Sequence, residues 1–471
     1  MLKKPFRKSV IVGGCALLTL STLAACGGDP VVSGKGEGGG AGEASGPVTV
    51  TLSVMTSNRF LEYAKQQFEA KHENISIEIK EYVAAPPTDG KVMIRAGETK
   101  KPVQDIEKFV SGVNTELMGG KAADIIITDG SVPLNKYADK KLLENMNDLM
   151  TNDASFQKGD YYANVFDAMT YNNGLYALPA ELSLGLLLGN KTALGGATID
   201  DENWTWADFK AAVEPLAKDA NNDGVPDLYA LNGLDASALL LAMVNTSYGK
   251  LVDLPSQSFD KEAFASLLTI SKALSDAKLV ADDRSGRTSS LFQLLQPVRY
   301  EDLILNMQMA FDGEGELHHW PSDSDQRGVA FTSDMLLSLN AKSAHKQEAW
   351  EFIKFLLSEE MQKTKELSGF AVNKKASRER QEQLKDIANP SEPGKKMAVV
   401  KDGKPYTPRT PEQHEIDQIE QLLSSAQVYA GTDPKVIAII EQEVAPFFAG
   451  QKPAEEVAKT VQQKVSTYLQ E

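Results

Sequence analysis

Asp219-Ala220-Asn221-Asn222-Asp223-Gly224-Val225-Pro226-Asp227 sets side-chain oxygens at alternate positions, with a glycine for the turn. Val225 stands where such a loop offers a backbone carbonyl. That is the spacing with which a loop gathers oxygens around one hard cation. A helix ending near Lys218 and a strand near Tyr229 flank it. The twelfth position is Ala230, where an EF-hand carries its bidentate carboxylate, and the same aspartates and asparagines also suit a solvated turn. The loop is read as a Ca2+ site formed by Asp219, Asn221, Asp223, Val225 and Asp227.

A second stretch dense in ligand-type side chains is Asp312, Glu314, Glu316, His318, His319, Trp320, Asp323 and Asp325. It lacks the His-Glu-x-x-His spacing of a zinc protease, and acidic loop residues are ordinarily hydrated. Glu181 and Asp129 are a conceivable glycosidase couple. Carboxylates also hydrogen-bond sugar hydroxyls, which needs no bond-breaking. His72, His318, His319, His345 and His414 form no catalytic set, and no Gly-x-Ser-x-Gly elbow or dinucleotide fingerprint is present. Around Gly119-Gly120-Lys121 a phosphate loop fails twice, at Thr115 for its first glycine and at Ala122 for its hydroxyl.

Lys3, Lys4, Arg7 and Lys8 precede an apolar run from Val10 to Ala25, the layout of a secretory signal and too short to span a bilayer. Leu23-Ala24-Ala25-Cys26 resembles the bacterial lipoprotein cleavage site, so Cys26 is expected to become the N-terminal residue and carry lipid. Cys15 falls inside the removed segment, leaving no disulfide. Nine of the twenty-one residues from Gly27 to Pro47 are glycine, a flexible tether. As a coil it reaches roughly 25 Å. The expected location is the cell surface, anchored to the outer face of the cytoplasmic membrane, or the periplasm, with lipid the only membrane contact.

Beyond the tether run 424 residues, enough for two domains. The formal charge of −16 becomes −20 without the four basic residues of the leader, which argues against nucleic acid as a partner. Val48 to Met55 alternates as a strand. Ser57-Asn58 supply cap chemistry for a helix burying Phe60, Leu61, Ala64 and Phe68, and Ile75, Ile77 and Ile79 give the next strand. This is a βαβ unit, whose strand-to-helix junction is a usual ligand site. A helix from Val103 to Met118 and a buried strand from Ala123 to Thr128 follow, ending at Asp129. Glu181 and Ser183 share one side of an extended segment.

The chain carries, in order, Asp124-Ile125-Ile126-Ile127, Gly174-Leu175-Tyr176-Ala177-Leu178-Pro179, Asn190-Lys191 and Thr205-Trp206-Ala207-Asp208-Phe209. Met309-Ala310-Phe311-Asp312-Gly313, Ala349-Trp350-Glu351-Phe352-Ile353-Lys354-Phe355-Leu356 and Gly369-Phe370-Ala371-Val372-Asn373 complete the series. This order resembles the extracellular solute-binding proteins of family 1, the sugar-binding receptors of ABC importers. The resemblance implies an α/β clamshell of the type II periplasmic-binding kind, with three crossovers and a helical C-terminal part. The expected lobes are 48–178 with 341–368, and 182–333 with 374–471, crossing near 179–181, 334–340 and 369–373. Helices are expected near Thr410 to Tyr429, Pro434 to Phe448 and Pro453 to Leu469.

The resemblance further implies a monomer without enzymatic activity, whose partners are a small solute (a mono- or oligosaccharide) and a membrane permease. Solute contacts are expected from Ser57, Asn58, Arg59, Asp129, Glu181, Ser183, Asp312 and Trp320. Where the family often places a tryptophan turn, this chain has Asp312-Gly313-Glu314-Gly315, with Trp320 five residues later. Trp320 either substitutes for that turn or belongs to the core, whereas Trp204, Trp206 and Trp350 are read as packing residues. The aromatic content of 7% favours a small polar ligand or short saccharide over a long stacked one. A secreted glycosidase and a surface sensor or scaffold without a transport role are the alternatives. Similar calcium-type loops in the family lie away from the cleft, so an ion there would be structural. Calcium should then raise the melting temperature by mass action, and Asp223→Ala should abolish the effect. A melting curve unmoved by chelator would return the loop to a plain turn.

Overall fold

The computed structural model describes residues 46–84, 102–197, 199–217, 219, 226–283, 289–324, 327–388, 399–401 and 404–470. Strand β1 (Val48–Val54) buries Val50, Leu52 and Val54, and pairs in parallel with β2 (Ile75–Glu81) and β3 (Ile125–Thr128). Between the first two, α1 (Arg59–Lys71) turns Phe60, Leu61, Ala64 and Phe68 inward. Asn58, not Ser57, caps it: its Oδ1 accepts from the Leu61 N–H at 2.9 Å, satisfying one of the orphan donors of the first turn. Helix α2 (Val103–Gly119) buries Phe109, Val113 and Leu117 and ends at Gly120, whose φ of +66° suits a residue without a Cβ. All four residues of β3 are buried, as a strand covered on both faces requires. The sheet is completed by Leu336–Leu339, antiparallel to β3 on one side and to β4 (Leu178–Pro179) on the other.

Strand β5 (Glu181–Asn190) is the spine of a second sheet, ordered Ala426–Tyr429, Val329–Thr332, β5, Ser290–Leu295, Tyr229–Asn232, Val280–Ala281. Gly315–His319 and Phe370–Ala371 also pair with β5. Gly189 lets Gly315–His319 pack against β5, because a Cβ there would lie 2.8 Å from the His318 ring. Helices Trp206–Val213, Ala236–Thr246, Lys261–Asp276, Pro434–Phe448 and Ala454–Gln470 build the core of this lobe, which includes Trp206, Phe209, Leu240, Phe264 and Val461. The expected helix near Thr410 to Tyr429 is divided. Gln413–Ser424 is helical, and Ala426–Tyr429 is a strand parallel to Val329–Phe331, because Ala426 and Val428 gain more as an edge strand than as another helical turn.

Two α/β lobes, the halves of a clamshell, are joined where the chain passes from sheet to sheet. One residue, Ala180, separates β4 from β5. Ser333 to Met335 separate Val329–Thr332 from Leu336–Leu339, and the third passage enters at Phe370–Ala371. The three are tied by buried polar contacts. The Ala180 N–H donates to the Met335 carbonyl at 2.8 Å. The Gln362 amide donates to the carbonyls of Ala180 (2.8 Å) and Leu356 (3.0 Å) and accepts from the Val372 N–H at 2.9 Å. Glu181 Oε1 accepts from the Asp334 N–H at 2.6 Å and the Ser333 hydroxyl at 3.3 Å. At Gly369 a Cβ would fall 1.8 Å from the other Glu181 oxygen, so glycine is needed for the third passage to close on the first.

Candidate functional site

Two cavities open where the strands end. The first, about 530 Å³, lies at the C-terminal ends of β1 and β3 and is lined by Thr56, Asn58, Asp105, Phe109, Asp129 and Asp334 among others. Strand ends converge there because the sheet is rigid while its loops are free to vary. The second, about 280 Å³, lies between the lobes. Gly130, Tyr171 and Tyr176 face it from the first lobe, and Tyr248, Tyr429 and Asp433 from the second. Asp129 lines the first and Gly130 the second, so consecutive residues after β3 serve the two cavities.

Burial first, and then the Asp129 carboxylate, push the Tyr429 hydroxyl well above the usual phenol range. Burial and then Asp433 do the same at Tyr248, whose oxygen accepts from the Asp433 N–H at 3.2 Å. Tyr171 donates to Asp139 at 2.9 Å and is pushed up to about 12, by burial and then by that bond. These hydroxyls therefore stay protonated at neutral pH, able to donate and accept. The lobes also touch beside this cavity. Lys136, on the short helix α3 (Leu134–Asp139), donates to the Tyr468 carbonyl at 2.8 Å and lies over that ring at 4.1 Å. The Tyr468 hydroxyl in turn donates to Asp433 Oδ2 at 2.8 Å. Tyr rings, hydroxyls and carboxylates together suit a polyol: rings cover C–H faces while the oxygens exchange hydrogen bonds with hydroxyls.

Of the residues expected at the site, Asn58 and Asp129 line the first cavity. Ser57 faces α1, its hydroxyl donating to Glu62 at 2.7 Å, and Arg59 is exposed at the start of that helix. Ser183 pairs with Thr332 inside the second sheet. Asp312 sits on an exposed turn at φ +57°, 3.3 Å from Lys401, away from the lining of both cavities. Trp320 packs in the second-lobe core at 7% exposure, its indole N–H donating to the Leu186 carbonyl, so its ring is not on the closing lip. Trp204, Trp206 and Trp350 are buried as well.

Asn221, Asp223 and Val225 of the calcium-type loop, and Cys26, lie outside the described residues. Among the described residues no group of three or more His, Cys, Asp or Glu side chains is placed to hold a metal ion, and no helix is long and apolar enough to cross a membrane. Tyr248, Tyr429, Asp433 and Asp334 escaped the sequence reading. Tyr429 and Asp334 follow the same strand-end rule that found Asp129, but the strand before Tyr429 is only four residues long. Nothing local marks Tyr248.

A family model described as bacterial extracellular solute-binding protein matches residues 99–388. Similar solved structures include the sugar-binding protein MalE from the phytopathogen Xanthomonas citri, 13% identical with a TM-score of 0.60, over 90% of this chain and 97% of that one. A periplasmic oligogalacturonide-binding protein from Yersinia enterocolitica is 15% identical with a TM-score of 0.57, over 90% and 99% of the two chains. An extracellular solute-binding protein of family 1 from Alicyclobacillus acidocaldarius is 16% identical with a TM-score of 0.56, over 91% and 100%. At such identities the likeness establishes the fold.

Glu181 lines neither of these two cavities. It is 5% exposed, and burial first, then the neighbouring Asp334 carboxylate, raise its carboxyl from 4.5 to about 7 against the donors that favour its charge. With the folded value above the unfolded one, the native protein binds more protons between those limits. Stability from this group is therefore fullest below pH 4.5 and is lost as pH rises towards 7. The unfolding free energy of wild type relative to Glu181→Gln should fall by up to about 3 kcal/mol across that window. A difference independent of pH, measured by urea denaturation, would contradict a proton on Glu181.

Proposed function

The chain belongs to the bacterial extracellular solute-binding protein family, and from that premise we propose that it is a lipid-anchored receptor of an ABC importer, capturing a short saccharide between its two lobes. The observation that carries this reading is the interlobe cavity faced by Tyr171, Tyr176, Tyr248 and Tyr429. Its volume of about 280 Å³ falls at the small end of ligand sites and fits a mono- or disaccharide. Tyrosine rings offer apolar faces to sugar C–H groups, and hydroxyls held protonated offer neutral hydrogen bonds to sugar oxygens. The carbohydrate class also draws on the similar MalE and oligogalacturonide-binding structures. The lipid anchor rests on Cys26 behind its signal, and the structural calcium on the Asp219 to Asp227 loop.

Binding without catalysis is the better reading of the carboxylates. Glu181 is occupied by backbone and hydroxyl donors at the hinge, so it does not face Asp129 across a bond to be cleaved. Contacts from both lobes would stabilise a closed form, and a permease would read that form.

A thermal-shift screen of monosaccharides, oligosaccharides, amino acids and peptides should find stabilisation by at least one saccharide. Tyr248→Ala should weaken binding of that saccharide by about tenfold or more, the scale of one lost buried aromatic contact, with both proteins titrated well below their melting temperatures. Stabilisation by amino acids or peptides alone would remove the carbohydrate assignment.

A further inference from the structure

We infer that Lys136 and Tyr468 form a clasp that holds part of the protein closed before any solute arrives, so that the balance between open and closed forms is set in the free chain. Lys136 belongs to the first lobe, on α3, and Tyr468 to the second, in the last turn of Ala454–Gln470. The Lys136 ammonium donates to the Tyr468 carbonyl at 2.8 Å and stands 4.1 Å from the centre of that ring. Carbonyls in the last turn of a helix have no partner within it and lie at the negative end of its dipole. A cation from the other lobe therefore meets three attractions at one residue: an orphan acceptor, a favourable dipole and the face of an aromatic ring. Among the described residues no carboxylate pairs with Lys136, so its ammonium is not drawn back into its own lobe.

Both halves of the clasp are fixed to their lobes. Beside Lys136, Tyr137 is buried among Phe109, Val113 and Leu142 of the first lobe. On the second, the helix that carries Tyr468 buries Val457, Ala458, Val461, Val465 and Leu469. The Tyr468 hydroxyl is held by Asp433 Oδ2, while Asp433 Oδ1 caps Pro434–Phe448 by accepting from the Lys435 N–H at 2.8 Å. Neither lobe has to rearrange for the clasp to form or break; only their separation changes, which is the movement a hinge allows. Lys136 and Leu469 line the interlobe cavity from opposite sides, so widening that cavity breaks the clasp. The apparent affinity of a receptor rises with the fraction of free protein already in its binding form, and the clasp raises that fraction.

The test is small-angle X-ray scattering of the mature chain without solute, as wild type, Lys136→Ala, Lys136→Glu and Tyr468→Phe. Lys136→Ala should have a larger radius of gyration than wild type, and Lys136→Glu, which sets a carboxylate against the helix carbonyls, one at least as large. Tyr468→Phe keeps the ring and the carbonyl and loses only a bond inside its own lobe, so it should keep the wild-type radius. With the saccharide found by the thermal-shift screen at saturation, wild type and Lys136→Ala should reach the same radius. Calorimetry should show Lys136→Ala binding that saccharide about threefold to tenfold more weakly. A Lys136 that merely touched the solute would also cost affinity, but would leave the radius of the free protein unchanged. An unchanged radius in both Lys136→Ala and Lys136→Glu without solute would overturn the clasp and leave the carbohydrate reading standing. Because that arm uses no solute, failure of every saccharide to bind would remove the carbohydrate reading while the free radii still decide the clasp.

Discussion

The constraint on which the rest depends is the need to satisfy buried polar groups where the chain crosses between sheets. One residue separates β4 from β5, so the backbone changes sheets with no loop in which to expose its carbonyls and amides to water. An unpaired buried group would cost on the order of 1 to 3 kcal/mol. Gln362, fully buried, bridges the first passage to the third, while Glu181 binds the second from within the first. Such a network specifies one hinge geometry and leaves few places where the lobes can move. Burial of the carboxylate at its centre, and then the charge of the neighbouring Asp334, are why its proton is retained to an unusually high pH.

The hinge and the site are continuous. Asp334 donates its amide to Glu181 and also lines the first-lobe cavity. Rigid sheets hold the strand ends, and the ends of β1, β3 and Ala426–Tyr429 supply Asn58, Asp129 and Tyr429. Movement about the crossovers would therefore change the distance between tyrosines on opposite lobes without changing either lobe, as hinge closure requires. Lys136 and Tyr468, beside the cavity, make one of the direct contacts between the lobes.

What the sequence revealed follows from how local each signal is. The face of α1 and its Asn58 cap were readable because spacing and cap chemistry lie within a dozen residues. The apolar run of β3 was readable for the same reason. The clamshell fold came through a series of motifs spread along the chain, none informative alone. Trp320 shows the limit: its indole N–H bonds to the Leu186 carbonyl, far away in sequence and adjacent only once β5 is in the sheet. The edge strand before Tyr429 was absorbed into the preceding helix because four residues of alternation are too few to break a helical pattern. Tyr248 and Tyr429 face Tyr171 and Tyr176 across the cavity only after both lobes have folded. Asp129 was found because a strand end is visible in one dimension; its partner across the cleft was not.

The central claim is that solute closes two rigid lobes about one polar hinge. Small-angle X-ray scattering of the mature chain, with and without a saturating saccharide identified by its stabilisation, tests it most directly. The account predicts a smaller radius of gyration with solute bound, since contacts from both lobes favour the closed form. A radius unchanged by a solute that demonstrably binds would contradict it, placing the ligand on a single lobe.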